Sequence, residues 1–77
     1  MNRQDIKLGK YRHFKGKEYE VIGLAKHTET LEELVVYKEM YGEGMLWVRS
    51  ASMFTDLKQV DGQLVPRFVL LQETSSN

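Results

Sequence analysis

Apolar and polar residues alternate in several short runs along the chain, most clearly at residues 34–50, LVVYKEMYGEGMLWVRS. A period of two marks a half-buried strand. Two such runs, 34–41 and 45–50, flank Gly42-Glu43-Gly44, whose glycines are free to take positive φ, so the stretch predicts a β-hairpin. With Tyr41 opposite Met45, facing residue numbers sum to a constant, which puts Tyr37 across from Arg49 and Glu39 across from Trp47. Val36, Met40, Leu46 and Val48 then share one face, with Lys38 as the misfit. Tyr37, Glu39, Tyr41, Trp47 and Arg49 share the other. The first face is expected to be core and the second a surface meant to touch something.

Upstream, GKYRHFK alternates and breaks at Gly16-Lys17, and YEVIGLAK resumes at 19–26, a second hairpin signal. Gly23 inside that run predicts a bulge, a bend or a close backbone approach. Segment 27–33, HTETLEE, is ambiguous. Thr30 and Glu33 have capping-box spacing, and Leu31, Leu34 and Val35 recur at helical intervals, which admits a helix over 31–41. The cluster Val35, Val36, Tyr37 favours the strand instead. Downstream, one helical or 3₁₀ turn is expected near Ser52 to Phe54, and Asp61-Gly62 marks a turn. A strand follows over 64–71, beginning irregularly because Pro66 cannot donate to a ladder. Residues 1–7 read as a loose arm, folded down through Ile6 and Leu8, and 73–77 as a frayed tail, which leaves 8–72 as the ordered core.

At 77 residues the chain is one domain, able to bury only about 60% of its unfolded surface. Without cysteine it has no disulfide framework, thiolate metal site or cysteine nucleophile. Its apolar runs fall far short of the ~20 residues a membrane-spanning helix needs, and the polar start lacks a secretory signal, so a cytoplasmic protein with no membrane partner is expected. Eleven basic and eleven acidic side chains cancel, against a partner chosen by bulk charge. The balance is uneven along the chain: residues 1–27 hold seven Lys or Arg against three acids, and 28–77 carry the matching acidic excess. Either strands of the two halves mix these charges on a solvated surface, or a basic edge meets phosphate or carboxylate.

No catalytic motif is present, and no cofactor or metal is implied. His13, His27 and Glu29 could form a two-histidine, one-carboxylate set for metal or acid-base chemistry, but they lack the local spacing of a ligand motif. Thr28, Glu29 and Thr30 also suit a turn in which side chains bond nearby amides. Arg49 above Tyr37, with Trp47 on the same face, makes a cation and aromatic platform of the kind that stacks a base, a sugar or a methylated amine. The competing structural role is that Tyr37 and Trp47 cover a barrel end while Arg49 pairs with a carboxylate. Tyr11, Phe14, Tyr19, Met53, Phe54 and Phe68 are assigned to packing.

Short strands, tight turns and no firm helix suggest a small, strongly bent antiparallel sheet. The ordered motifs GKYRHFKG, HTET, VVY, WVR, MF and RF, spread over residues 9–68, resemble the domain-of-unknown-function 1653 family of small bacterial proteins. The resemblance implies an SH3-like antiparallel β-barrel and strengthens the strand reading of 34–41. It brings no activity. One departure is Arg49-Ser50-Ala51, where relatives often carry proline after the arginine.

The resulting expectation is an all-β, SH3-like barrel of about five strands with one short 3₁₀ or helical turn. It would act as a binding module whose ligand residues are Arg12, His27, Glu29, Tyr37, Trp47 and Arg49. The partner would be a small polar ligand, a peptide or a nucleotide. The alternatives are a single-stranded nucleic-acid binder, a small hydrolase or metal enzyme using His13, His27 and Glu29, and a self-associating adaptor, so the chain is a monomer or a weak homodimer.

Overall fold

The structure, a computed structural model, describes residues 6–74. The remainder of the expected arm and tail lies outside the described residues. Seven strands and one helical turn follow in order: β1 (Gly9–His13), β2 (Glu18–Lys26), β3 (Glu33–Glu39), β4 (Leu46–Ser50), α1 (Ala51–Phe54), β5 (Leu57–Val60), β6 (Gln63–Pro66) and β7 (Phe68–Glu73). Segment 31–41 is therefore mainly strand. The β-branched and aromatic side chains of Val35, Val36 and Tyr37 prevail over the capping-box spacing.

Five strands form one antiparallel sheet in the order β4-β3-β2-β1-β7, and β5 and β6 form a separate hairpin. The expected closed barrel of about five strands is not what forms. The chain's last strand returns to β1, while β4 and β7 end the sheet without pairing to each other. Gly9 permits that return: its φ is 147°, and a side-chain carbon there would come within 2.9 Å of the Glu73 Cα. Gly23 lies at a register shift between Val21 and itself, as its place in the strand predicts. Asp61 and Gly62 turn β5 into β6 with both residues at positive φ, 52° and 80°. Ser50 caps α1, accepting from the Met53 amide at 3.3 Å, so the turn follows β4 without a loop.

The core is Ile6, Tyr11, Val21, Val35, Tyr37, Ala51, Phe54 and Phe68. Phe54 and Phe68 stack with centroids 4.1 Å apart, and Tyr11 meets Phe54 edge-on at 5.2 Å. Each large side chain so buried contributes about 1.5–3 kcal/mol. Tyr11 can be buried because its hydroxyl donates to the Lys7 carbonyl at 2.7 Å and accepts from the Lys7 amide at 3.1 Å. Desolvation pushes its pKa up, although the Lys7 bond opposes the shift. Ile6 is buried as expected, whereas Leu8 is exposed.

Two expectations about the central hairpin are corrected. Its register is displaced by two residues: Tyr37 faces Trp47 and Lys38 faces Leu46. The loop is longer than Gly42-Glu43-Gly44, because Tyr41 leaves the ladder and Glu39 donates its amide to the Met45 carbonyl at 2.9 Å. An even displacement keeps side chains on their own faces. The faces themselves are reversed. Val35 and Tyr37 are buried, while Met40, Leu46 and Val48, expected in the core, are 46%, 57% and 59% exposed. The basic and acidic halves do meet across β2 and β3, where Lys26 faces Glu33 and lies 3.8 Å from its carboxylate.

Candidate functional site

The inner face of the sheet is solid at its middle and opens at two places: a hollow of about 290 Å³ beside Ile6, Tyr11, Phe54, Phe68 and Leu70, which is mainly apolar, and a second, more polar one near the β3–β4 turn. At the middle, Val21 and Val35 are fully buried on either side of Tyr37. Towards the β3–β4 turn the face opens into a pocket of about 220 Å³ lined by Tyr19, Tyr37, Glu39, Tyr41, Trp47 and Arg49. Strand pairing brings most of these together, since Tyr19 faces Glu39 and Tyr37 faces Trp47. Tyr41 arrives from the loop, its hydroxyl 2.6 Å from that of Tyr19. Its departure from the ladder, made possible by Gly42 and Gly44 at φ 56° and 67°, both lengthens the turn and completes the pocket.

Each side chain is held by a neighbour. Glu39 accepts from the Trp47 indole N–H at 2.7 Å and from the Met45 amide at 3.2 Å, so both carboxylate oxygens are occupied and the indole is fixed. Half of Trp47 stays exposed. Arg49 Nε donates to the Tyr37 hydroxyl at 3.3 Å, and among the described residues its terminal nitrogens have no carboxylate partner. Tyr19 meets Tyr37 and Tyr41 edge-on, at 5.3 and 5.4 Å. Desolvation, followed by the Tyr41 bond, pushes the Tyr19 pKa up to about 12, so it remains a neutral hydroxyl at physiological pH.

Cations gather around this aromatic group. The Lys17 ammonium sits 4.5 Å from the Tyr41 ring centre. Behind the pocket His13 packs on Phe68 at 5.0 Å and Tyr19 at 6.4 Å. Burial lowers its pKa first, and Arg67, Arg49, Lys15 and Lys58 lower it further. Arg67 forks onto Asp56 at 2.7 and 2.9 Å, which raises the arginine pKa and holds the aspartate below the usual carboxylate range. The two carboxylates within this group, Glu39 and Asp56, are thus already engaged by Trp47 and Arg67.

Of the six residues singled out by sequence, the structure brings together Tyr37, Trp47 and Arg49. Arg12 points to the outer side of β1 and lies 3.6 Å from Glu18. His27 and Glu29 occupy the β2–β3 turn, where His27 Nδ1 accepts from the Glu29 and Thr30 amides at 3.1 and 3.4 Å, and the Thr30 hydroxyl accepts from the Glu32 amide at 3.2 Å. His13, at the far end of β1, is separated from that turn by the length of β2, roughly 25 Å at ~3.3 Å per residue. Among the described residues no group of three His, Cys, Asp or Glu could hold a metal ion. The alternation sets Glu39 and Tyr41 on the face of Tyr37, Trp47 and Arg49 without naming them as ligand residues, whereas Tyr19, assigned to packing, was missed as a pocket residue and Lys58 and Arg67 as neighbours of His13. Tyr19 and Tyr41 carried a signal in their parity with Tyr37, whereas Arg67 and Lys58 reach His13 only through the long-range return of the chain to β1.

Fold and site together define a small all-β protein with an aromatic pocket flanked by Arg49 and Lys17. The chain belongs to the DUF1653 family, described as a protein of unknown function, whose model matches residues 9–70. It is similar to the crystal structure of a DUF1653 protein from Bordetella bronchiseptica, with 29% sequence identity and a TM-score of 0.85, over 99% of this chain and 100% of that one. No curated protein matches it. No helix among the described residues is long and apolar enough to cross a membrane.

Proposed function

We propose that the mouth lined by Tyr19, Tyr37, Tyr41, Trp47 and Arg49 binds a ligand that joins a flat ring to an anionic group, and that the protein is a binding module. The observation that carries this reading is the imbalance of hydrogen-bonding groups. Arg49 offers its terminal N–H groups, Tyr37 accepts from Arg49 and keeps its own proton to give, and the Tyr19–Tyr41 pair has one proton left over. Lys17 adds a charge beside Tyr41. Such a donor-rich pocket suits an acceptor such as phosphate or carboxylate, and the exposed Trp47 face suits a ring. Among a small polar ligand, a peptide and a nucleotide, the nucleotide carries both parts.

Calorimetry with a nucleoside monophosphate, a neutral sugar and an acidic peptide tests this. The nucleotide is expected to bind, with affinity lost at least tenfold in Trp47→Ala and in Arg49→Gln. Equal binding by all three proteins, or no binding by the wild type, overturns the reading. A single-stranded nucleic-acid ligand is a second form of it, favoured by the cations near His13. It predicts an affinity for oligonucleotide that exceeds the mononucleotide's and falls steeply with salt.

A further inference from the structure

The strand β4 is an open edge of the sheet, and we infer that it pairs with β4 of a second copy of this chain, antiparallel and centred on Val48. The backbone pattern indicates which groups are available. The Glu39 amide bond to the Met45 carbonyl makes 39 and 45 a hydrogen-bonded pair. Such pairs alternate along an antiparallel ladder, so Trp47 and Arg49 bond inward to Tyr37 and Val35, and the amides of Leu46, Val48 and Ser50 point to the open edge. Leu46, Trp47 and Val48 are all at least half exposed.

The edge also lacks the features that keep strands from pairing. It has no proline, no lysine, and no break in register with β3 from Leu34–Ser50 to Lys38–Leu46. The opposite edge, β7, is interrupted by a register shift against β1 between Lys10 and Tyr11. That irregularity makes β4 the edge suited to a straight partner.

Self-complementarity selects the occupant and the register. A two-fold axis through Val48 lets the two Val48 residues exchange a pair of hydrogen bonds, and each Ser50 amide donates to the other copy's Leu46 carbonyl. Trp47 then faces Arg49 of the second copy, indole against guanidinium, on both sides of the axis. A shift of two residues either way leaves one outward residue unpaired and sets Trp47 against Trp47 or Arg49 against Arg49. A five-residue edge offers few backbone bonds and a short contact, so the dimer is weak and depends on concentration. Both aromatic mouths lie on the same side of the joined sheet, and each gains an arginine from the other copy.

Sedimentation of the full chain from micromolar to millimolar concentration tests the pairing, together with amide hydrogen exchange at both ends of that range. The weight-average mass is expected to rise towards twice the monomer's, with protection gained at Val48 and Ser50. Val48→Lys, which sets two ammonium groups across the axis, and Val48→Pro, which removes an amide that β3 does not use, are expected to hold the protein at monomer mass with its fold intact. If the proline variant does not fold, the lysine variant carries the test. A wild type that stays monomeric at millimolar concentration, a dimer without protection at Val48, or one that persists in the folded lysine variant overturns the inference. Both variants retain Trp47 and Arg49, so ligand binding is scored separately.

Discussion

The two faces of the β2–β3–β4 sheet have similar apolar content and opposite fates. The inner face holds Val21, Val35 and Tyr37, all buried, and then opens into the pocket. The outer face holds Ile22, Leu46 and Val48, 44% to 59% exposed. Hydrophobicity alone does not separate them. What does is aromatic volume: Tyr11, Tyr19, Tyr37, Phe54 and Phe68 share the inner side and interlock at ring separations of 4.1–5.8 Å. Aliphatic side chains on the outer side of an edge strand meet no such partners. A small domain closes around its largest side chains, and the face without them is left to solvent or to another chain.

Substitution on the two faces breaks this comparison most sharply. Tyr37→Ala should cost about 3–5 kcal/mol, the range for deleting a buried aromatic side chain. Val48→Ala should change stability by roughly 0.5 kcal/mol or less, as for other surface positions. Urea midpoints of the two variants measure the difference. Comparable losses at both sites would mean that the outer face is covered.

The next largest effect is expected where the inner face meets the β5–β6 hairpin. The Arg67 side chain is only 12% exposed and depends on Asp56, so Asp56→Ala should destabilise by about 1–3 kcal/mol through the unpaired guanidinium. Asp56→Asn, which keeps one acceptor, should cost less. Acid unfolding of these variants should also lose the part of the transition below pH 4 that belongs to Asp56. Its folded pKa is depressed, so its stabilisation is present above the unfolded value of 3.8 and is lost as pH falls through the folded one.

His13 gives a smaller effect with its own window. Its folded pKa lies below 6.5, so between the two values the unfolded chain binds more protons than the folded one. Stability should therefore fall as pH drops through 6.5 and level off below the folded pKa. Melting temperatures of wild type and His13→Phe across that range should diverge on acidification. A parallel course would show that His13 protonates freely. An anion in the mouth should raise the His13 pKa by offsetting Arg49. Trp47→Phe forfeits the Glu39 bond at an exposed site and should cost about 0.5–1.5 kcal/mol, above only the outer-face Val48→Ala.

Local signals made much of the fold legible. Gly23 marked the bulge, Asp61-Gly62 the turn between β5 and β6, Ser52 to Phe54 the helical turn, and alternation the strands of the first two hairpins; the single strand expected over 64–71 is instead two, β6 and β7, broken at Arg67 and lying in different sheets. The register of the central hairpin was not legible, because it depends on where Tyr41 goes, and Tyr41 is drawn out of the ladder by Tyr19, 22 positions away. Nor was the inward face legible. Counting apolar residues favours Val36, Met40, Leu46 and Val48, whereas the deciding contacts join Tyr37 to Tyr19, Phe54 and Phe68 across the chain. Of the candidate site, the parity of Tyr37, Trp47 and Arg49 was sufficient to group them. His27 and Glu29 attracted attention as chemical types, but the local turn that binds them is set by amides, not by the pocket.

The proposed ligand occupies the Trp47 end of the inner face and leaves the outer face of the same sheet untouched. Titrating isotope-labelled protein with a nucleoside monophosphate, at a concentration where it is monomeric, tests this directly through its nuclear magnetic resonance spectrum. The Trp47 indole and the amides of Tyr19, Tyr41 and Arg49 are expected to shift together and saturate, while those of Ile22, Leu46 and Val48 stay in place. Shifts confined to the outer face, or no saturable change at Trp47, would contradict it.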